Sequence, residues 1–490
     1  MQITNQLGRL TAACALGGWL LLSQALAAPW IDPGDPRLRQ DLELLADAGI
    51  VTVPVTTWPL AWAGIGEDLD NLDSVPARAD VQAALLRVRR AYSDATEASL
   101  VKLELAAAIS TEPRKLRTFS ASPREKGELS AGISWTGLRF SYRLRATGVS
   151  DPSDDLIARA DGSYVGAVIG NYMITAGQLD RWWGPGWHNS MILSSNARPV
   201  PGVSVQRNFS DAPTIPGLRW IGPWTLTALL GQLEHDREVP DAWLFGLRVN
   251  FRPRTDLEIG ISRTAQWCGG DRPCDLATFA DLLLGRDNRG ESTNLSEEPG
   301  NQLAGVDWRW RLPVGGQRWN WYGQFIGEDE AGGLPSRFVA LSGLSWTGYS
   351  ELLGGGWSSQ LEWADSAAEF YKDPVRYDYA YEHFIYRDGY RYRSRSLGAS
   401  MDNDGRMIGI NLMLNADNGQ HWQALVRRVD LNRGGDPNPV AANSRDLWNI
   451  ELAHLRALGS GKMALELGID RFDDGNGDDV RISASWRGGL

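Results

Sequence analysis

From about residue 96 to its end, the chain repeats segments of about ten residues in which apolar and polar side chains alternate. In "RFSYRLRA", Phe140, Tyr142, Leu144 and Ala146 fall on one face, and Arg139, Ser141, Arg143 and Arg145 on the other. "WLFGLRVNFR" sets Trp243, Phe245, Leu247, Val249 and Phe251 against Arg248, Asn250 and Arg252. "RWNWYGQF" and "VRISASW" repeat the pattern, the first with Trp319, Trp321 and Phe325, the second with Val480, Ile482, Ala484 and Trp486. A side-chain period of two belongs to strands. A soluble β-sandwich also alternates, but it rarely hides so many arginines. A sheet with its apolar side in lipid and its polar side on a watery lumen accounts for both faces. Open edges cannot sit in lipid, so such a sheet must close on itself. Roughly 390 residues, at about 20–24 per strand and connection, predict 16–18 strands. Tryptophans near strand ends suit an interfacial girdle.

The N-terminus supports an exported barrel. Arg9, the apolar run "LTAACALGGWLLL" and "ALA" at 25–27 predict a signal peptide over 1–27, cut before Ala28. Its removal leaves 48 basic against 60 acidic residues, since Arg9 is the only charge it carries. An acidic chain of this kind excludes nucleic acid as a partner. Only five of the basic residues are lysine. Arginine suits bidentate contacts to carboxylate or phosphate, although a genome that favours arginine codons explains the bias equally well. Beyond the leader, Cys268 and Cys274 stand in "QWCGGDRPCD", and outside the cytoplasm they are expected to form a local disulfide. The reading assigns no metal and no cofactor.

Residues 28–95 read differently from the barrel at 96–490. "DPRLRQDLELLADAG" lines up Leu38, Leu42 and Leu45 and stops at Gly49. "VPARADVQAALLRVRRAY" lines up Val81, Ala84, Leu85, Val88 and Tyr92. The segment is expected to form two amphipathic helices with the Pro/Trp-rich connection "VTVPVTTWPLAW" between them, as a cap on the periplasmic mouth.

Two blocks carry candidate chemistry. In "GQLDRWWGPGWHNSMILSSNARPVPGVSVQR" (177–207), Trp182, Trp183 and Trp187 stand beside Asp180, Arg181, His188 and Asn189. Indoles stack on the C–H face of a pyranose, and planar polar groups meet its hydroxyls. Binding polymer, packing a plug and riding at the interface all remain open for this block. On the stacking reading, Trp183→Ala and Trp187→Ala weaken polymer binding and leave the barrel intact. Its length without alternation predicts that 177–220 fold into the lumen. In the second block, 377–407, Tyr381, His383 and Tyr390 interleave with Arg391 and Arg393 ahead of Asp402 and Asp404. These residues suit an acidic polymer, or equally a ladder of paired lumen charges. Asp402-Asn403-Asp404-Gly405 opens like a calcium loop but lacks the later ligands at that spacing.

"LRQDLELLADAGIVTVPVTTWPLAW", the tryptophan block, "QWCGGDRPC" and "YEHFIYRDGYRYRSRSLGASMDNDGRM" together resemble the capsule assembly Wzi family, in order over nearly the whole mature chain. The resemblance implies a mainly β fold: an outer-membrane antiparallel barrel of about 18 strands with a small periplasmic helical bundle. It also implies a lectin-like, non-enzymatic protein that binds capsular polysaccharide and helps assemble or anchor the capsule. Outer-membrane lipids are expected to surround it, with a polysaccharide export channel as a candidate neighbour. The chain departs from the family at Gly398-Ala399-Ser400, which lacks a histidine, and at its "WRGGL" end, where Trp486 stands short of the terminus. A porin or substrate-specific channel is the first alternative. A lipid- or glycan-modifying hydrolase using His188 with Ser190, Ser194 or Ser195 is the second, although no G-x-S-x-G elbow occurs.

Overall fold

The computed structural model describes residues 30–489 except 73, 75, 98–99, 284–299, 315–317, 332–333 and 476. The predicted signal peptide, 1–27, lies outside the described residues. The alternating segments form one closed antiparallel barrel. Ala158–Arg159 and Tyr164–Ile169 both pair with Phe140–Ser150 and make a single interrupted strand, which brings the wall to 18 strands among the described residues. The seam joins the last strand, Asp478–Gly489, to the first, Val101–Ser110, in a register that sets Trp486 opposite Ala107.

The two faces sort as the alternation demands. Phe140, Leu144, Ile174, Ile261, Leu361, Ile410, Leu452 and Ile482 are exposed on the outer surface. Arg248, Asn250, Gln324, Glu362 and Arg427 point inward and are buried. A belt of exposed aliphatic side chains around the whole wall would be costly in water and is stable against lipid. Among the described residues no helix is long and apolar enough to cross a membrane, so the strands are what span it.

The barrel ends differ. At one end the strands are joined by short turns, such as Arg254 to Leu257, Ser350 to Gly355 and Leu458 to Gly461. At the other end the connections are long, the largest described one running from Asp365 to Arg406. Residues 30–96 fill the short-turn mouth with three helices: α1 (Pro36–Asp47), α2 (Trp62–Asp70) and α3 (Ala79–Thr96). Asp35 caps α1 by accepting from the Leu38 N–H at 3.1 Å, which fixes where that helix starts. The sequence predicts α1 and α3. It misses α2, which starts at Trp62, the last residue of the Pro/Trp-rich connection. Leu42, Leu45, Ile65, Leu85 and Val88 form the shared core of the three helices.

Buried polar contacts fasten this segment to the wall. Arg309 forms a fork with Asp47 at 2.7 and 2.8 Å. Glu258 accepts from the Val55 and Thr56 N–H groups at 3.0 and 2.8 Å, and Arg252 donates to the Val51 carbonyl at 2.7 Å. Buried ion pairs recover little net energy after desolvation, but breaking one is expensive, so these contacts select one docked position.

Candidate functional site

The tryptophan block leaves the wall at Gly177 and crosses the lumen. It is anchored on the far side by Glu362 of the strand Gly355–Asp365, which accepts from the N–H groups of Trp187 (2.7 Å), His188 (3.2 Å) and Asn189 (3.0 Å). Three backbone donors can converge on one carboxylate only if the chain bends sharply before them. A Cβ on Gly186 would lie 2.1 Å from the Asn189 carbonyl oxygen, so that bend requires glycine. Gln324 ties the block down further, accepting from the Met191 N–H at 2.7 Å and donating to the Trp183 carbonyl at 2.9 Å.

The plug is shorter than expected, running from 178 to 201. Gly202–Arg207 returns to the wall as a strand, and Pro216–Ile221 is a 3-10 turn at the short-turn end, where Trp220 meets outward-facing Phe251 edge-on. The inward-fold expectation is therefore corrected for 202–220: six residues at its start alternate well enough to pair as wall.

The three indoles are enclosed. Trp182, Trp183 and Trp187 are 1%, 0% and 3% exposed. Trp182 donates to the Gly186 carbonyl at 3.0 Å, and its backbone pairs with Trp58 of the helical segment. Trp187 carries the Arg39 guanidinium over its ring at 4.1 Å, while Arg39 also donates to the Pro185 and Gly186 carbonyls at 2.5 and 2.9 Å. An indole covered on both faces has none to offer a sugar. The stacking expectation is corrected accordingly, and these side chains form the join between plug and helices.

His188 is buried with neither ring nitrogen bonded, and burial pushes it down to about 3, so it is neutral at ordinary pH. Ser190 donates to the Trp183 carbonyl at 2.6 Å and Ser194 to the Gly398 carbonyl at 2.6 Å, so neither is activated by His188. Asn189 accepts from the Ser400 N–H and hydroxyl, both at 3.0 Å. Asp180 and Arg181 are half-buried. Asp180 pairs with Arg124 at 2.9 Å, and burial pushes its carboxyl up.

The second block lies over the plug at the long-loop end. Tyr381 and Tyr390, both fully buried, donate to the Met191 and Ile192 carbonyls at 2.7 and 2.9 Å. Arg391 grips Asp402 through Nε at 2.9 Å and Nη2 at 2.6 Å, and also reaches Glu382. Asp404 is buried and accepts from the Asp378 N–H at 2.7 Å. Burial, with the Asp378 carboxyl nearby, pushes it up to about 7. Tyr386 donates to the Cys268 carbonyl at 3.1 Å, which ties the loop to the segment closed by the Cys268–Cys274 disulfide. Among the described residues no group of three or more His, Cys, Asp or Glu side chains is arranged to hold a metal ion.

His383 and Arg393 keep partial exposure. The His383 ring stacks on Phe384 with centroids 4.6 Å apart, and its Nδ1 accepts from the Ile385 and Tyr386 N–H groups at 3.2 Å. Burial pushes His383 down to about 4. Phe384 is 54% exposed, and the nearby Arg387 side chain is 73% exposed. Phe384 is not among the predicted site residues, whereas Arg387 belongs to the arginines that interleave with the tyrosines of the second block. An aromatic exposed beside a cation inside a loop is a signal, but alternation does not say which side of a loop faces out.

With this geometry, comparison with known proteins becomes decisive. The profile of the capsule assembly protein Wzi family matches residues 103–479. The chain belongs to the capsule assembly protein Wzi family. An uncharacterised 55.8 kDa protein in the cps region of Klebsiella pneumoniae is 30% identical over 469 residues, covering 94% of this chain and 90% of its own. The solved structure of Wzi from Escherichia coli superposes with a TM-score of 0.83 at 28% identity, over 94% of this chain and 99% of that one. That protein is described as an outer-membrane, carbohydrate-binding β-barrel involved in group 1 capsule assembly. This Wzi-family chain is likewise an outer-membrane β-barrel of a Gram-negative bacterium. The family is one of lectin-like outer-membrane barrels and not of enzymes.

Proposed function

We propose that this Wzi-family barrel holds an acidic capsular polysaccharide at its outer end through His383, Phe384, Arg387 and Arg393, and thereby anchors the capsule. One observation carries the assignment of residues: the exposed Phe384–His383 stack stands near an exposed guanidinium on the loop that covers the plug. An aromatic face takes the C–H side of a sugar ring, and guanidinium forks take its carboxylates. The plug and the buried tyrosines supply the rigid bed beneath. Short turns face the periplasm in barrels of this kind, so residues 30–96 are placed there and the long loops outside. Carbohydrate binding by the Escherichia coli relative supports the reading. A filled lumen counts against the channel alternative.

The test is binding of the purified barrel to capsular polysaccharide from a strain that carries it. Phe384→Ala and Arg387→Ala should each weaken binding about tenfold, the value of roughly one stacked ring or one charged hydrogen bond, with the heat-shifted gel band unchanged. Wild-type binding by the double variant sinks the assignment.

A further inference from the structure

The wall is low beside the plug. Tyr172–Gly177 and Gly202–Arg207 are six residues each, against 12 for Trp243–Arg254. Their register sets Gly177 opposite Gly202, and Gly202 opposite Gly231, so three glycines stand side by side across three neighbouring strands. These three glycines are among the residues that line a cleft between the plug and the wall. Most of its lining is aliphatic, including Leu179, Leu193, Val200 and Leu229, and no aromatic ring contributes. Val203, 52% exposed on the outer face, forms part of its edge, so the cleft is continuous with the lipid-facing belt.

Three charged side chains line this cleft. Asp180 is neutralised by Arg124, and Arg198 by Asp161 and Asp154. Arg181 has no hydrogen bond or ion pair to any described residue. Burial alone pushes it down to about 10, which leaves it charged at neutral pH. A half-buried guanidinium without a counter-charge leaves its charge uncompensated, and an anion that binds there supplies the missing partner.

We propose that this cleft receives the phosphate of an anionic membrane lipid, with the Arg181 guanidinium as its cation and the aliphatic edge at Val203 as the path for its chains. The fork of a guanidinium matches phosphate oxygens in two-point contact. A cavity of about 30 Å³ admits a group of that size, about two or three water positions, and excludes a pyranose ring. Without an aromatic platform the cleft is poorly suited to sugar. The site is separate from the polysaccharide surface at Phe384, and failure of either proposal leaves the other standing.

The test is native mass spectrometry of the intact, delipidated barrel titrated with dioleoyl phosphatidylglycerol, and with dioleoylglycerol, which has no phosphate, as the control. Wild type should hold phosphatidylglycerol about tenfold more tightly than Arg181→Gln, the worth of one charge-assisted contact, while dioleoylglycerol binds both alike. Arg181→Lys keeps the charge without the fork and should fall between them, which preserves the test if the glutamine variant does not assemble. Equal phosphatidylglycerol affinity in all three proteins overturns the proposal. Two competitors separate the sources of the anion. Displacement by equimolar inorganic phosphate makes the cleft a free-anion site, and displacement by a glucuronate-containing oligosaccharide assigns it to the polymer. Either result also overturns it.

Discussion

The two aromatic, charge-rich loops of this barrel are alike in composition and opposite in use. The plug, 178–201, spends its polar groups inward. Three backbone N–H groups go to Glu362, Arg39 lies over Trp187, and Asn189 reaches Ser400. The outer loop, 366–405, is two-sided: Tyr381 and Tyr390 reach down to plug carbonyls, while Phe384 and Arg387 stay exposed. Aromatic and polar residues together therefore mark a lumen filling as readily as a binding surface. What separates the two is whether each side chain is enclosed by its partners or stays open to solvent, as Arg387 does even beside Glu238.

Breaking the plug should have the largest effect. Glu362→Ala strands three buried N–H groups, and at about 1–3 kcal/mol each the plug should come loose. The expected readouts are a lower midpoint for the heat-induced gel shift and new protease cleavage between residues 178 and 201, in a wall that still closes. An unchanged midpoint would mean the plug is held elsewhere.

The next effect depends on pH. His188 is depressed to about 3, so between its ordinary value of about 6.5 and 3 the unfolded chain binds a proton that the folded chain refuses. Its contribution is therefore constant above about 6.5, and stability falls as pH drops through that window. His188→Gln should lose less stability than wild type between pH 7.5 and 4.5. Parallel losses would show that the ring is protonated without penalty.

Tyr390→Phe removes one hydroxyl contact between the two loops and should cost about 1 kcal/mol, visible as a small downward shift of the same midpoint. Phe384→Ala and Arg387→Ala, on the open side, should move it least while affecting polymer binding most. That pairing sharpens the contrast: if either lowers the midpoint as much as Tyr390→Phe does, the open side is also structural.

The barrel was legible because each wall residue obeys a local rule. Outward Phe140 and inward Arg143 follow from a period of two, whatever lies across the lumen. Helix α2 was not legible: Ala61 supplies no capping side chain, and Gly64 and Gly66 interrupt the apolar pattern. The site was legible only as composition. Burial of Trp183 depends on partners such as Gln324 and Leu193, the first more than a hundred residues away and the second ten. The register of a wall strand is set by its neighbours, whereas a loop's partners are chosen across an open space that the sequence does not mark.

The small sheet in which Trp182–Trp183 pairs with Thr57–Trp58 lies within the ring of strands. It joins the helical segment at the short-turn mouth to the plug, and Arg39 adds a second link through the Pro185 and Gly186 carbonyls. Cap and plug are thus a single stopper, seated in the wall at Glu258 and at Glu362.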